Sequence, residues 1–250
     1  MIKNKLGKTG LAISAVTYGG IISTDDGYDG AFPMGDGQDK SDHYVEYAIK
    51  KGINYFDVAP KYGNAQGRLG NSLIPYRKDI YLACKTLYRT AEDAQNDLEN
   101  SLKLLKTDYF DVYQMHCLTS SCDVETTFSK GGCMETLLKA KEEGIVKHLG
   151  ITCHSEEAAV RALELYDFET VLFPLNWALH LKRGFGNAVL QARKEKGFGL
   201  LGMKSLIHRA WINNEERYSS QFKKSWCKPI MDDDRLAVAA IKCALGMGMD

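Results

Sequence analysis

Three times along the chain, an amphipathic stretch ends at a single glycine and a short apolar run follows at once. The glycines are Gly52, Gly144 and Gly197. Glycine adopts the left-handed conformation that ends a helix and turns the chain back, so a glycine at this point is typical of a helix C-terminus. The pattern therefore predicts a chain in which helices and strands alternate.

Seven short runs, most of them almost continuously apolar, are predicted to be strands. They are Ala15–Tyr18, Ile53–Asp57, Ile80–Lys85, Tyr109–His116, Lys147–Thr152, Thr170–Leu175 and Phe198–Lys204. Continuous apolar runs are typical of parallel strands that helices cover. The clearest helix is Ala91–Leu105, with Thr90 as a good N-cap and its apolar residues on one face. These elements indicate an α/β protein, either a β/α barrel or a doubly wound sheet.

Two observations favour the barrel. A doubly wound dinucleotide fold needs Gly-x-Gly-x-x-Gly between its first strand and helix, and the glycines after Gly19 and Gly20 lack that spacing. In addition, polar residues stand at the ends of several different strands, which is where β/α barrels keep their active sites. These residues are Asp57, Lys85, His116, Thr152, Asn176 and Lys204. We therefore predict a (β/α)8 TIM-type barrel that occupies residues 1–250 as a single domain.

Composition and charge exclude several classes of function. The 250 residues are 44% hydrophobic and 26% charged, which is typical of a globular protein with a large core. Lys plus Arg number 32 and Asp plus Glu also number 32, so no basic field is available to hold nucleic acid or an anionic membrane surface. The chain has neither a signal-peptide pattern nor a run of about 18 apolar residues. The seven cysteines contain no Cys-x-x-Cys pair, so we interpret them as reduced thiols of a soluble cytoplasmic protein.

The segment from about Gly20 to Lys40 is rich in Gly and Asp and has no periodicity, so we expect a loop at the rim of the active site. Residues Asp25–Gly30 have a faint likeness to a calcium-binding loop. A glycine takes the third position of that loop, where an oxygen ligand is needed, and Asp36 stands where a glutamate is usual. We expect no calcium there.

Four side chains with acid–base chemistry follow three consecutive strands. Asp57 ends one strand, Tyr62 follows five residues later, and Lys85 and His116 end the next two strands. An ammonium about 4 Å from a phenol favours the phenolate by roughly 4 kcal/mol at an effective dielectric of about 20, or about three pKa units. Asp57 keeps Lys85 charged, and a neutral His116 can donate a ring N–H to a substrate oxygen. The four residues predict proton transfer at a carbonyl, with no metal required.

These residues and their neighbours resemble the aldo-keto reductase family. The family's Asp, Tyr, Lys and His match in order, spacing and flanking sequence, including Asn54–Asp57 and Tyr62–Gly63. The segment Leu6–Leu11 is similar to the family's N-terminal hairpin, which closes the bottom of its barrel, and Val16–Gly20 is similar to the family's first strand. The resemblance covers essentially the whole chain. It implies NADPH-dependent reduction of an aldehyde or ketone, with Tyr62 as the proton donor.

The resemblance also implies which residues bind the cofactor (NADPH, the reduced form of NADP). Thr152 replaces a serine of the family, whereas Cys153 replaces an asparagine whose amide grips the nicotinamide carboxamide, so His154 or Asn176 is expected to supply that contact. Met203 takes the place of an aromatic residue that stacks on the nicotinamide. The expected cofactor-binding residues are Thr152, His154, Asn176, Met203, Lys204 and Leu206.

The sequence departs from the family pattern at two places. Gln66 stands where many members have glutamate, and we assign it no role. A helix is predicted after Asp232–Arg235, and the chain reaches Asp250 where an eighth strand would begin. Seven strands leave a barrel open near the usual phosphate site. We therefore expect either a longer natural protein or weakened binding of the adenosine 2′-phosphate end, and a thermal-shift titration with NADPH checks this.

Two other functions stay open at this point. A class I aldolase would use Lys85 to form a Schiff base, which a neighbouring Asp57 opposes because the lysine must lose its proton. A non-catalytic barrel subunit would bind a dinucleotide without turning over a substrate. The sequence does not specify the carbonyl substrate, the preference between NADPH and NADH, or the oligomeric state.

Other residues near the predicted site have simpler interpretations. Cys84 and Cys117 are neighbours of Lys85 and His116 on their strands. Because adjacent strand positions point to opposite faces, both cysteines are expected to pack outward under the helices. Three tryptophans are candidates for walls of a substrate pocket, namely Trp177, Trp211 and Trp226.

Overall fold

A curled parallel sheet forms the centre of the computed structural model, which describes residues 1–24, 37–223 and 225–250. The strands are β1 (Lys3–Lys5), β2 (Ala12–Ser14), β3 (Tyr18–Gly19), β4 (Tyr55–Asp57), β5 (Tyr81–Thr86), β6 (Phe110–Leu118), β7 (Val146–Cys153), β8 (Thr170–Phe173), β9 (Gly199–Gly202), β10 (Ile207–Arg209) and β11 (Lys228–Pro229). The helices are α1 (Gln38–Lys50), α2 (Ala65–Leu73), α3 (Ala91–Leu105), α4 (Ser121–Phe128), α5 (Cys133–Glu142), α6 (Glu156–Leu165), α7 (Trp177–Arg183), α8 (Asn187–Lys196), α9 (Asn214–Ser219) and α10 (Asp234–Gly246).

The sheet contains strands β3 to β9 in chain order, and each strand is parallel to the next. One or more helices separate successive strands, which is the connectivity of a TIM-type barrel. The predicted fold class is therefore confirmed. At the β9 edge, the Asp250 amide donates to the Leu200 carbonyl (3.0 Å), and the Asp250 carboxylate accepts from the Leu200 amide (2.8 Å). The last described residue thus lies where an eighth strand would pair.

The hairpin of β1 and β2 lies at the floor of the curled sheet, as the resemblance implied. Leu6 and Ile13 from this hairpin are fully buried and pack in one cluster with inward-facing residues of the sheet. Those residues are Tyr55, Ala83, Val112 and Leu201. Side chains therefore fill the interior of the curled sheet at the hairpin end.

Two predicted local features are confirmed. Helix α3 spans Ala91–Leu105, and the Thr90 hydroxyl accepts a hydrogen bond from the Asp93 amide (3.2 Å) as an N-cap. Each of the three glycines that were predicted to end helices has a positive φ; the values at Gly52, Gly144 and Gly197 are 86°, 76° and 70°. These caps turn the chain from the outer helices back into the sheet.

The first barrel strand differs from the prediction. It is Tyr18–Gly19, not Ala15–Tyr18, because the residues before it are bound to the hairpin. The Ala15 amide donates to the Ile2 carbonyl (3.0 Å), and the Ser14 hydroxyl donates to the Val16 carbonyl (2.7 Å).

Only the ends of the predicted rim loop are described. A short 3₁₀ turn covers Gly20–Ser23, and α1 begins at Gln38. Residues Asp25–Gly30 and Asp36, which the calcium interpretation concerned, lie outside the described residues. None of the described helices is long and apolar enough to cross a membrane.

Helix α2 approaches α3 closely at Gly70. A Cβ there would overlap the Leu104 carbonyl oxygen and lie 2.9 Å from the Leu105 Cα, whereas none of the described atoms lies within 4 Å of a Cβ at Gly67. We expect Gly70→Ala to destabilise the protein by about 1–3 kcal/mol, because backbone atoms must shift. The control Gly67→Ala is expected to be neutral or to stabilise by up to about 1 kcal/mol, because alanine favours the helix. Urea unfolding of the two variants measures the difference, and equal free energies would contradict the close approach.

Candidate active site

The register of the strands brings Asp57 and Lys85 together. Asp57 pairs with Ala83, two positions before Lys85, so the two side chains share the inner face of the sheet. Their side chains are 14% and 1% exposed and form an ion pair. The Gln114 amide, also on the inner face, donates to the other carboxylate oxygen of Asp57 (3.1 Å). The sheet therefore buries a lysine together with its counter-charge.

The pKa of Lys85 is raised even though the side chain is buried. Burial acts to lower this pKa, but the negative charge of Asp57, the Tyr62 phenol and the hydrogen bond to Asp57 together outweigh it. Lys85 is therefore an ammonium at neutral pH.

Tyr62 and His116 complete the arrangement. The Lys85 Nζ lies 5.6 Å from the centre of the Tyr62 ring, and the Tyr62 and His116 rings are 6.2 Å apart and perpendicular. Burial, with the positive charges of Lys85 and Arg89 and the nearby His154, lowers the pKa of His116 to about 3. The structure thus places the four predicted residues at one end of β4, β5 and β6, with a neutral imidazole and a charged lysine.

A β-bulge interrupts β6 beside His116. The pairing of β6 with β7 shifts between Met115 and Leu118, and Cys117 has a φ of 61°. The Cys117 amide donates to the Thr152 hydroxyl on β7 (2.7 Å). Such bulges redirect side chains next to active sites.

The bulge overturns one prediction about the cysteines. Cys84 packs under the helices as expected, but Cys117 lies in the wall of the cavity described below. The prediction for Cys117 was wrong because a bulge breaks the strict alternation of strand side chains. Burial raises the pKa of the Cys117 thiol, with a smaller opposite effect from Arg89, so the thiol is protonated at neutral pH.

A cavity of about 410 Å³ opens above these residues. Its lining residues are Ile21, Tyr62, Lys85, His116, Cys117, Thr152, His154, Leu172, Met203, Lys204 and Trp226. A space of this size accommodates a small organic group together with part of a larger ligand. The cavity joins three of the four acid–base residues to residues that were expected to bind the cofactor.

Four of the six expected cofactor-binding residues line this cavity, namely Thr152, His154, Met203 and Lys204. The other two do not. Asn176 is the N-cap of α7, where its Oδ1 accepts from the Leu179 amide (3.0 Å), and its buried Nδ2 has no hydrogen-bond partner in the described part of the chain. Leu206 is 42% exposed on the segment that follows β9.

Two basic side chains meet at the cavity mouth. The Lys204 Nζ lies 3.4 Å from the Nδ1 of His154. Burial lowers the pKa of Lys204. Burial also lowers the pKa of His154, and the positive charge of Lys204 lowers it further. An anionic group in the mouth would relieve this unfavourable proximity.

The tryptophans have different roles. Trp226 lines the cavity, in agreement with its prediction as a wall of the pocket. Trp177 and Trp211 instead donate their indole N–H groups to backbone carbonyls, those of Ile207 and Ser225, both at 2.9 Å. They therefore fix the segment between β9 and α10 that carries Trp226.

Two glutamines near the site were not among the predicted site residues. Gln114 lies two positions before His116 and therefore shares its face of β6, which is the signal that could have identified it. Gln66, to which no role was assigned, is buried outside the sheet and donates to the Ser101 hydroxyl (2.8 Å). A neutral amide suits that position, because a carboxylate there would lose its hydration.

The fold and site together define a TIM-type barrel with acid–base side chains at the carboxyl ends of its strands. Within that class, the chain belongs to the Aldo/keto reductase family, whose model matches residues 30–231. Members of this family are oxidoreductases that use NAD(P)H and act on small carbonyl compounds.

Curated relatives give the same result. The chain is 30% identical to an uncharacterized oxidoreductase, YqkF, of Bacillus subtilis. The match extends over 166 residues and covers 61% of this chain and 49% of that protein. The chain is 28% identical over 212 residues to probable aldo-keto reductase 1 of Glycine max, a match that covers 79% of this chain and 57% of that protein. It is 32% identical over 167 residues to the L-galactose dehydrogenase of Arabidopsis thaliana (59% and 47%). The chain thus spans about half the length of the curated relatives it matches.

Solved structures share the fold. A putative aldo-keto reductase from Pseudomonas aeruginosa superposes with a TM-score of 0.70 at 25% identity, over 83% of this chain and 79% of that one. The holo form of an aldo-keto reductase from Bacillus halodurans superposes with a TM-score of 0.70 at 21% identity, over 99% and 83%.

Proposed function

We propose that the protein reduces an aldehyde or ketone to an alcohol with NADPH, that Tyr62 donates the proton, and that residues 1–250 form one barrel domain. The observation that carries this proposal is the buried ion pair of Lys85 and Asp57 beside the Tyr62 ring, at the base of a cavity. A buried ammonium next to a phenol is suited to general acid catalysis at neutral pH.

Lys85 acts on Tyr62 through charge. The attraction between the ammonium and the Tyr62 phenolate raises the pKa of Lys85, and by reciprocity it favours the phenolate. The Tyr62 hydroxyl can therefore release its proton to the oxygen of a reduced carbonyl, leaving a phenolate that the ammonium stabilises. Asp57 keeps the ammonium charged throughout.

His116 orients the carbonyl. Its Nδ1 is buried without a hydrogen-bond partner among the described residues, and the ring is neutral at physiological pH. We assign the ring proton to Nε2, since a buried donor without a partner costs more than a buried acceptor. Nε2 then donates to the substrate oxygen next to Tyr62.

The cavity suits the nicotinamide end of NADPH, which supplies the hydride when it is bound. The Thr152 hydroxyl already accepts from the Cys117 amide, so its own proton is available for the carboxamide. Met203 offers an apolar surface in the cavity. Asn176 would need to be reached from outside the cavity lining, although its buried Nδ2 has no hydrogen-bond partner among the described residues. His154, which also lines the cavity, is a candidate for the carboxamide contact, and the Lys204 ammonium would attract the phosphates.

The test is NADPH consumption by this chain with a panel of simple aldehydes and ketones, together with thermal-shift titrations with NADPH and NADH. We expect consumption that requires a carbonyl, and stabilisation by NADPH, with the NADH titration measuring how much the 2′-phosphate adds. Stabilisation by NADPH without turnover would instead favour a binding subunit. The raised pKa of Lys85 argues against an aldolase, because a Schiff base forms from the neutral amine. Borohydride trapping of a Schiff base on Lys85 would instead support the aldolase.

The low pKa of His116 predicts a pH-dependent stability. The imidazole titrates near 6.5 in the unfolded chain and at about 3 in the folded protein. Between these values only the unfolded chain binds the proton, so the contribution of His116 is complete above about pH 6.5 and is lost as the pH falls toward about 3. We expect the free energy of unfolding to fall more steeply, by up to about 1.4 kcal/mol per pH unit, in the wild type than in His116→Gln.

Urea unfolding at several pH values between about 6 and 4 measures this slope. The exposed His208 supplies the control, and His208→Gln should retain the wild-type slope. Equal slopes for His116→Gln and the wild type would contradict a neutral, buried His116.

A further inference from the structure

The peptide bond between His116 and Cys117 is held at both ends by side chains from other elements. The Arg89 Nη2 donates to the His116 carbonyl (3.0 Å) and to the Cys117 carbonyl (3.2 Å). On the other side, the Cys117 amide donates to the Thr152 hydroxyl (2.7 Å). Cys117 has a left-handed φ of 61°, which a residue with a side chain adopts only where its surroundings enforce it.

Arg89 is itself fixed by a carboxylate. Its Nε donates to Oδ1 of Asp123 (2.5 Å) and its Nη2 to Oδ2 (3.0 Å), while Nη1 donates to the Leu87 carbonyl (3.0 Å). Asp123 lies in the first turn of α4 and also accepts from the Thr119 amide (3.1 Å). A bidentate pair of this kind sets the plane of the guanidinium, which a lysine could not reproduce.

We propose that Arg89, oriented by Asp123, is a positioning residue that fixes the β6 bulge and thereby holds His116 in its place facing Tyr62. This inference rests on the proposed reductase function for its effect on catalysis. Arg89 lies behind the backbone of the bulge and does not line the cavity, so it acts through His116 and Cys117. A displacement of about 1 Å in such a group is enough to lower a rate about 10²-fold.

Arg77 offers a matched control at the opposite end of β6. Its Nη2 donates to the Tyr109 carbonyl (2.9 Å) and to the Asp111 carboxylate (3.1 Å), so it joins a carboxylate to a backbone carbonyl much as Arg89 does. It lies at the end of the strand away from the cavity. A purely structural role of Arg89 would therefore resemble that of Arg77.

The experiment compares Arg89→Met with Arg77→Met in two measurements. For Arg89→Met we expect kcat to fall about 10- to 100-fold while the Kd for NADPH changes less than about threefold. We also expect hydrogen exchange at the Cys117 amide to accelerate at least about tenfold, with no change at Val112 near the start of β6. Arg77→Met should leave kcat unchanged, and Arg89→Lys should recover only a small part of the loss.

Unchanged exchange at Cys117 in Arg89→Met, or a loss of protection shared equally by Val112, would overturn the proposal. So would a kcat equal to that of Arg77→Met. If the wild type reduces no carbonyl compound, the reductase function fails, and the exchange at Cys117 alone decides whether Arg89 holds the bulge. Should Arg89→Met not fold, Asp123→Asn is measured in the same way; faster exchange confined to Cys117 supports the proposal and unchanged exchange overturns it.

Discussion

Replacing Tyr62 with phenylalanine is expected to lower kcat by about 10²- to 10⁴-fold, the range that a general acid contributes. The substitution removes one hydroxyl and keeps the ring, which lies 5.6 Å from the Lys85 Nζ and contacts His116 at its edge. The cavity shape and the cofactor contacts therefore stay the same. Because only the proton donor is lost, the Kd for NADPH should change by less than about threefold.

The measurement is single-turnover reduction of an aldehyde by NADPH, which isolates the chemical step from product release. Tyr166→Phe is the matched control, since Tyr166 packs against Phe168 away from the cavity and loses the same hydroxyl. That control should keep the wild-type rate. A Tyr62→Phe rate within about threefold of the wild type would show that another group or water donates the proton.

Much of the site follows from strand periodicity. Asp57, Lys85 and His116 each end an apolar run, and the alternation of strand side chains is enough to place them on one face once the strands are parallel. Gln114 obeys the same rule and was predictable by it. These residues are set by local pattern and by the register of neighbouring strands, both of which the sequence carries.

The β6 bulge lies beyond that rule. Nothing in the residues around His116 marks a shift of register, because Cys117 adopts its positive φ only through contacts with Arg89 and Thr152, which are distant in sequence. The first barrel strand was misplaced for a similar reason, since the Ile2 carbonyl holds the amide of Ala15. Long-range hydrogen bonds override local propensity at both places.

Removing either member of the buried ion pair is expected to abolish most of the activity, but in two different ways. In Lys85→Met no cation remains beside Tyr62, so we expect kcat to fall at least about 10²-fold at every pH. In Asp57→Asn the buried ammonium is without its counter-charge, so we expect the pKa of Lys85 to fall and a larger share of the lysine to lose its proton as the pH rises. Activity of Asp57→Asn should therefore recover in part as the pH is lowered, whereas that of Lys85→Met should not.

Stability distinguishes the same two variants. Asp57→Asn leaves Lys85, whose side chain is 1% exposed, without a counter-charge. We expect the free energy of unfolding to fall by about 3 kcal/mol or more. Lys85→Met leaves a carboxylate that is 14% exposed and still accepts from Gln114, so its cost should be smaller. The double variant should be less destabilised than the sum of the two single variants, because no buried charge is left without a partner. Urea unfolding and kcat at several pH values measure both effects. Additive free energies, together with pH profiles that do not separate the two variants, would mean that Asp57 does not hold Lys85 in its charged form.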